Sequence, residues 1–132
     1  VHNTSAKAAL DIAVHDLFGQ KYNLSLYRFF GGLRPRITSD LTISLGSPDQ
    51  MVQDAQKAIK AGYTNLKLKV GVDAALDIQR VRAIRQAAGP DITIRLDANQ
   101  VEPKEAVRTI HRMEDAGLDI ELIEQPVAAA DI

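Results

Sequence analysis

A strand-like segment, a turn and a helical stripe recur along most of this chain, and that recurrence restricts its fold more than any other feature. Residues 39 to 45, 65 to 70, 92 to 97 and 119 to 124 read as short strands. Helical patterns separate them. The first runs from Ser47 and Pro48 to Ala61, the second from Ala74 to Ala88 and the third from Pro103 to Ala116, with Gly62, Gly89 and Gly117 beyond their ends. Ser47 suits the N-cap and Pro48 the first helical position. Regular strand–helix alternation of this kind predicts a parallel α/β fold.

The strand faces narrow the choice. Side chains two apart project to the same side of a strand. Leu66, Leu68 and Val70 therefore share one face and Lys67 with Lys69 the other. Ile92, Ile94 and Leu96 oppose Thr93, Arg95 and Asp97 in the same way. An open doubly wound sheet, covered by helices on both sides, would be apolar on both faces. One apolar and one polar face instead predict a (β/α)8 TIM-type barrel with a polar interior. A complete barrel needs about 250 residues, so four strands are its first half.

A further helical stripe precedes the strands. Ala9, Leu10, Ala13, Val14, Leu17 and Phe18 repeat at helical spacing from Ser5 to Phe18, and Gly19 reads as the stop. A short second helix is expected from Ser25 to Phe30, before Gly31 and Gly32. The strand–helix alternation begins only after these helices. Phe18, Tyr22, Tyr27, Phe29 and Phe30 read as packing residues. The chain opens on Val1 and stops soon after a strand end, so it is expected to be a piece of a longer protein.

Composition removes several functions. Sixteen basic residues stand against seventeen acidic ones, a net charge of -1. No charge run supports a nucleic-acid or anionic-membrane surface, so neither partner is expected. Cysteine is absent, which removes disulfides, thiolate metal sites and cysteine nucleophiles. No apolar stretch is long enough to cross a bilayer and no signal-peptide pattern opens the given sequence, so a cytoplasmic protein is expected.

The polar strand ends carry chemistry. Lys67 and Lys69 share one face near the end of the second strand, Asp97 closes the third and Glu124 the fourth. If these strands are neighbours, a basic pair and two carboxylates converge at one rim. A lysine is a poor base near its ordinary pKa of about 10.4. A neighbouring ammonium and partial burial are expected to lower it. The α-proton of a carboxylate is so weakly acidic that a divalent cation must also stabilise the anion formed. Asp97 and Glu124 offer hard oxygen ligands that suit magnesium.

Plainer readings exist for each residue. Lysines near strand ends are commonly solvated rim charges. Asp97 suits a turn cap, Glu124 suits loop polarity, and Arg95 reads as an ion-pair partner for Asp97. His2, His15 and His111 are far apart in sequence and read as structural or surface residues. A Schiff-base aldolase built on Lys69 would leave Asp97 and Glu124 without a joint task.

Three motifs carry a resemblance: Leu66-Lys67-Leu68-Lys69-Val70-Gly71, Arg95-Leu96-Asp97-Ala98-Asn99-Gln100 and Ile123-Glu124-Gln125-Pro126. In this order, each at a strand end, they resemble the muconate-lactonizing-enzyme subgroup of the enolase superfamily, most closely its dipeptide epimerases of the L-Ala-D/L-Glu type. The segments Asp11 to Leu17 and Leu26 to Gly32 extend the likeness to nearly the whole chain. The resemblance implies a magnesium-dependent epimerase of dipeptides working by α-proton abstraction, with muconate cycloisomerase or o-succinylbenzoate synthase chemistry as the alternative. It implies that Lys69 is one of two acid/base lysines and that Lys67 assists it and contacts the substrate carboxylate. Asp97 and Glu124 would be two of three Mg2+ ligands, Thr42 a substrate contact, and Asn99 with Gln125 supports behind the ligands. The segment before Ile37 would end a helical capping domain. The third ligand and the opposing lysine would lie past Ile132, so these 132 residues alone are expected to be a noncatalytic half-barrel. A homo-oligomer is expected for the whole protein. One departure is local: where the family has a Gly-aromatic pair after Gln100, this chain has Val101-Glu102-Pro103, one residue shorter.

Overall fold

The computed structural model describes residues 3–131 and divides the chain into two compact units, one ending at Ile37 and the other starting at Thr38. In the first unit, helix α1 (Thr4–Tyr22) is followed by the single turn α2 (Leu26–Phe29). The second unit alternates β1 (Leu41–Ile43), α3 (Pro48–Lys60), β2 (Asn65–Lys69), α4 (Ala74–Ala88), β3 (Thr93–Asp97), α5 (Pro103–Asp115) and β4 (Ile120–Glu124). The four strands form one parallel sheet in sequence order, β1-β2-β3-β4. This is the architecture of the first half of a (β/α)8 barrel.

The apolar strand face packs against the helices. Leu66, Leu68, Ile94 and Leu96 are buried in one cluster with Met51, Ala55 and Ala58 of α3, Val81 and Ile84 of α4, and Met113 of α5. Lys67, Lys69, Arg95 and Asp97 alternate with these residues on the opposite, half-buried face. Helix starts follow local capping chemistry. The Ser47 hydroxyl accepts from Gln50 N at 3.3 Å, the Asp73 carboxylate from Leu76 N at 2.9 Å and the Glu102 carboxylate from Glu105 N at 3.0 Å.

Two expectations fail locally. Helix α1 does not stop at Gly19 but continues to Tyr22, ending where Asn23 takes a left-handed conformation (φ 48°). Gly19 serves a close approach instead. Leu24 N donates to its carbonyl at 2.9 Å, and a Cβ at Gly19 would lie 2.9 Å from the Leu24 carbonyl oxygen. The first strand is three residues long, not seven: among the described residues it pairs with β2 alone, with three residue pairs in register. Within the first unit the side chains of Leu10, Val14 and Leu17 are exposed. Phe18 stacks on Tyr22 and Phe29 with centroids 4.7 and 5.0 Å apart, and Phe29 meets Phe30 edge-on at 5.0 Å.

Strand β4 departs from simple alternation. Its pairing with β3 shifts by one residue, so that Ile94 faces Ile120 while Arg95 faces Leu122. The extra residue is a β-bulge. It lets Ile120 and Ile123 both pack on the helix side while the carboxylates of Glu121 and Glu124 both reach the polar face.

Candidate active site

Register brings the expected residues together on the polar face. Thr42 pairs with Lys67, Lys69 with Asp97, and Asp97 with Glu124, so three adjacent strands end side by side. Lys69 Nζ donates to Asp97 Oδ2 at 3.1 Å. Lys67 Nζ lies 3.5 Å from the same oxygen and also contacts Glu124 Oε2. Both carboxylates therefore converge on one ammonium.

A second layer of charge lies beneath. Arg95 does not pair with Asp97, contrary to the sequence expectation. Its Nη1 donates to Asp40 Oδ2 at 3.1 Å and its Nε to Glu121 Oε2 at 2.5 Å. Two residues of pleat separate Arg95 from Asp97 along the strand, and lateral neighbours are closer than that. Asp40 and Glu121 were not singled out from sequence. Glu121 owes its position to the bulge, which leaves no mark in the period-two pattern. Asp40 lies just before β1, where a carboxylate preceding a strand signals nothing by itself.

The loops leaving β2 and β3 are tied together. Asn99 Nδ2 donates to the Val70 carbonyl at 2.7 Å, and Val70 N donates to the Asp97 carbonyl at 2.9 Å. Ala98 N donates to the Glu124 carbonyl at 3.1 Å, and Gln100 N to the Gln125 carbonyl at 3.2 Å. Asn99, Gln100 and Gln125 all have positive φ, at 51°, 63° and 42°. Non-glycine residues in that region are uncommon and concentrate at sites whose surroundings hold them there. Asn99 thus braces the residue after Lys69, and Gln125 braces the loop leaving β3 through its backbone. His15 belongs to the first unit, with its ring 5.2 Å from that of Phe30, and the exposed His111 lies 3.5 Å from Glu114 on α5. His2 falls outside the described residues.

Electrostatics at the rim differ from the expectation for Lys67. The Glu124 hydrogen bond pushes its ammonium up from the ordinary value, with burial opposing and the charges of Glu124 and Asp97 reinforcing. The expected lowering fails because the carboxylates approach this lysine more closely than partial burial can offset. Burial works against ionisation of Asp97, but the Lys69 hydrogen bond and the Lys69 and Lys67 charges outweigh it and hold the carboxyl below its usual range.

The donor set fits a hard divalent cation. Asp97 and Glu124 present carboxylate oxygens to a common point, where Lys67 now supplies the compensating charge. Four carboxylates (Asp40, Asp97, Glu121 and Glu124) face three cations (Lys67, Lys69 and Arg95) across this surface. Magnesium takes one or two protein carboxylates and completes its shell with other oxygens. Among the described residues no group of three or more His, Cys, Asp or Glu side chains is arranged to hold a metal. Also among the described residues, no helix is long and apolar enough to cross a membrane.

Residues 50–132 match the family model described as "Enolase C-terminal domain-like". The chain belongs to this enolase C-terminal domain-like family. Its likeness to members extends upstream of the matched region. The L-Ala-D/L-Glu epimerase of Clostridium acetobutylicum is 52% identical over 98% of this chain and 36% of that protein. A substrate-liganded complex of the L-Ala-D/L-Glu epimerase from Bacillus subtilis superposes with a TM-score of 0.92, at 48% identity over 99% of this chain and 37% of that one. The dipeptide epimerase of Enterococcus faecalis, in a complex with Mg and the dipeptide L-Leu-L-Tyr, gives a TM-score of 0.82 at 47% identity, over 93% of this chain and 34% of that one. The chain thus spans little more than a third of these enolase-family relatives.

Proposed function

We propose that the protein to which this chain belongs is a magnesium-dependent dipeptide epimerase of the L-Ala-D/L-Glu type. On this reading the second unit supplies the first half of the catalytic barrel, and the first unit ends a helical capping domain. The observation that carries it is the convergence of Lys67 and Lys69 on Asp97, with Glu124 sharing Lys67. The likeness to L-Ala-D/L-Glu epimerases over nearly all of the chain supports it.

Each residue then has a task. Lys69, near half exposed and hydrogen-bonded to Asp97, takes or returns the proton at the substrate α-carbon on one side. Lys67 offers its ammonium to the substrate carboxylate. Thr42, exposed and in register with Lys67, contacts the substrate from β1. Asp97 and Glu124 would hold the magnesium, which supplies stabilisation for negative charge developing on the substrate carboxylate as the α-proton leaves. Asn99 and Gln125 hold the loops on which this depends. A cytoplasmic location and a homo-oligomeric assembly belong to the same proposal.

The test is deuterium uptake at the α-carbon of the Glu residue of L-Ala-L-Glu in deuterium oxide, using the complete polypeptide with and without magnesium. Uptake that needs magnesium is expected. Absence of uptake, or uptake unaffected by chelation, would overturn the proposal. Turnover of muconate without dipeptide exchange would replace it with the cycloisomerase reading.

A further inference from the structure

Asp77 and Arg80 are buried charges to which the chemistry above gives no task. They are 2% and 7% exposed and lie three residues apart on α4. Arg80 Nη1 donates to Asp77 Oδ1 at 2.7 Å. Each then reaches the backbone of a different loop. Asp77 Oδ2 accepts from Gly71 N at 2.8 Å, and Arg80 Nε donates to the Gly46 carbonyl at 2.8 Å.

Those two loops leave the strands that carry the site. Gly71 follows Lys69 by two residues, and Gly46 follows β1, which carries Thr42. The pair therefore bridges the ends of β1 and β2 from α4. Asn99 holds the Val70 carbonyl from the β3 loop, and Gly71 itself lies against Ala98. The backbone leaving Lys69 is thus gripped by α4 and by the β3 loop.

A buried ion pair seldom adds stability over a well-packed apolar pair, since desolvation cancels much of the attraction. Here the pair has another use, because it fixes two backbone groups with charge-assisted hydrogen bonds. We propose that Asp77 and Arg80 are positioning residues, which hold the β1 and β2 ends in one relation and so aim the Lys69 ammonium. This rests on the reading of Lys69 as the acid/base group. Misplacing a reacting group by about 1 Å costs roughly 100-fold in rate.

The test uses the complete protein and three variants, Asp77→Asn, Arg80→Met and the double Asp77→Leu/Arg80→Met. The double variant removes both charges, so it leaves no unpaired buried ion and decides the matter even where a single variant fails to fold. The expected result is a loss of roughly 10- to 100-fold in kcat for α-proton exchange, with KM and magnesium affinity within about twofold. In the double variant thermal stability recovers while kcat stays low, because Gly71 N–H and the Gly46 carbonyl remain unheld. Recovery of kcat together with stability would reduce the pair to a stability element and overturn the proposal. If the unaltered protein exchanges no dipeptide α-proton, the epimerase reading falls separately, and a crystal structure of the double variant decides. Lys69 Nζ still hydrogen-bonded to Asp97 would then overturn the proposal, and its displacement would sustain it.

Discussion

Lys69 Nζ lies 3.1 Å from Asp97 Oδ2, between two residues paired in register on adjacent parallel strands. The contact joins a proposed base to a proposed metal ligand without any intervening loop. Its geometry is therefore set by the sheet ladder, the most constrained part of the fold. On the proposed roles, proton transfer and metal binding would both depend on the β2–β3 register.

Replacing Lys69 by alanine should abolish α-proton exchange in the complete protein and leave the fold intact. The side chain is 43% exposed, and exposed ion pairs contribute about 0–1 kcal/mol. Deuterium uptake and a thermal melt measured on the same sample check both halves. Retained exchange would remove Lys69 from its role.

Asp97→Asn should weaken magnesium binding by at least about tenfold, since one anionic ligand becomes neutral. Calorimetric titration measures it directly, and an unchanged affinity would argue against ligation. Glu124→Gln should act in the same direction.

Metal-free protein should show an acid-side signature of Asp97. Its carboxyl is held below the ordinary value of 3.8 in the fold. Its contribution to stability is present above that value and is lost as pH falls through the lower folded one. Melting temperature recorded from about pH 5 down to pH 2, with chelator present, should fall less steeply in Asp97→Asn than in the unaltered protein. Equal slopes would contradict the assignment.

Gly71→Ala should disturb the rim more than an ordinary loop substitution. Gly71 has φ +99°, and a Cβ there would lie 1.8 Å from the Ala98 carbonyl oxygen. Alanine at such a conformation costs more than about 1 kcal/mol even without a clash. The β2 and β3 loops must separate to admit it, so stability and exchange rate should both drop. A variant with unchanged melting would show that this contact is not tight.

Arg85→Ala should destabilise the second unit by about 2–4 kcal/mol without changing the chemistry. Its guanidinium donates to the carbonyls of Gly89, Ile92, Leu118 and Asp119, at 2.7 to 3.1 Å. These tie the end of α4 to the chain entering β3 and β4, the face opposite the proposed site. Chemical denaturation measures the loss, and kcat should hold below the new melting point.

Legibility followed the range of the interactions. Leu66, Leu68, Ile94 and Leu96 announced the buried face because alternation on a strand is a property of neighbours in sequence. Ser47 with Pro48 announced a helix start for the same reason. Gly19 misled, since whether a glycine ends a helix or admits a returning chain depends on Leu24, five residues on. Arg95 misled because its partners, Asp40 and Glu121, lie on other strands or their approaches. Asp77 and Arg80 did leave a trace, a charged pair three apart among the buried positions Ile78, Val81 and Ile84. Spacing alone could not show that both reach loop backbone.

By itself the sequence determined the order of strands and helices, the two faces of the sheet, and the strand ends bearing Lys67, Lys69, Asp97 and Glu124. Those follow from periodicity and capping, which act over a few residues. Only the tertiary structure decided which charges meet. It set Lys67 between Asp97 and Glu124, gave Arg95 to Asp40 and Glu121, and bulged β4 so that two carboxylates three apart share one face. Ion pairing across a sheet depends on lateral register, and register is fixed by the packing of the whole apolar face against its helices, not by any one strand.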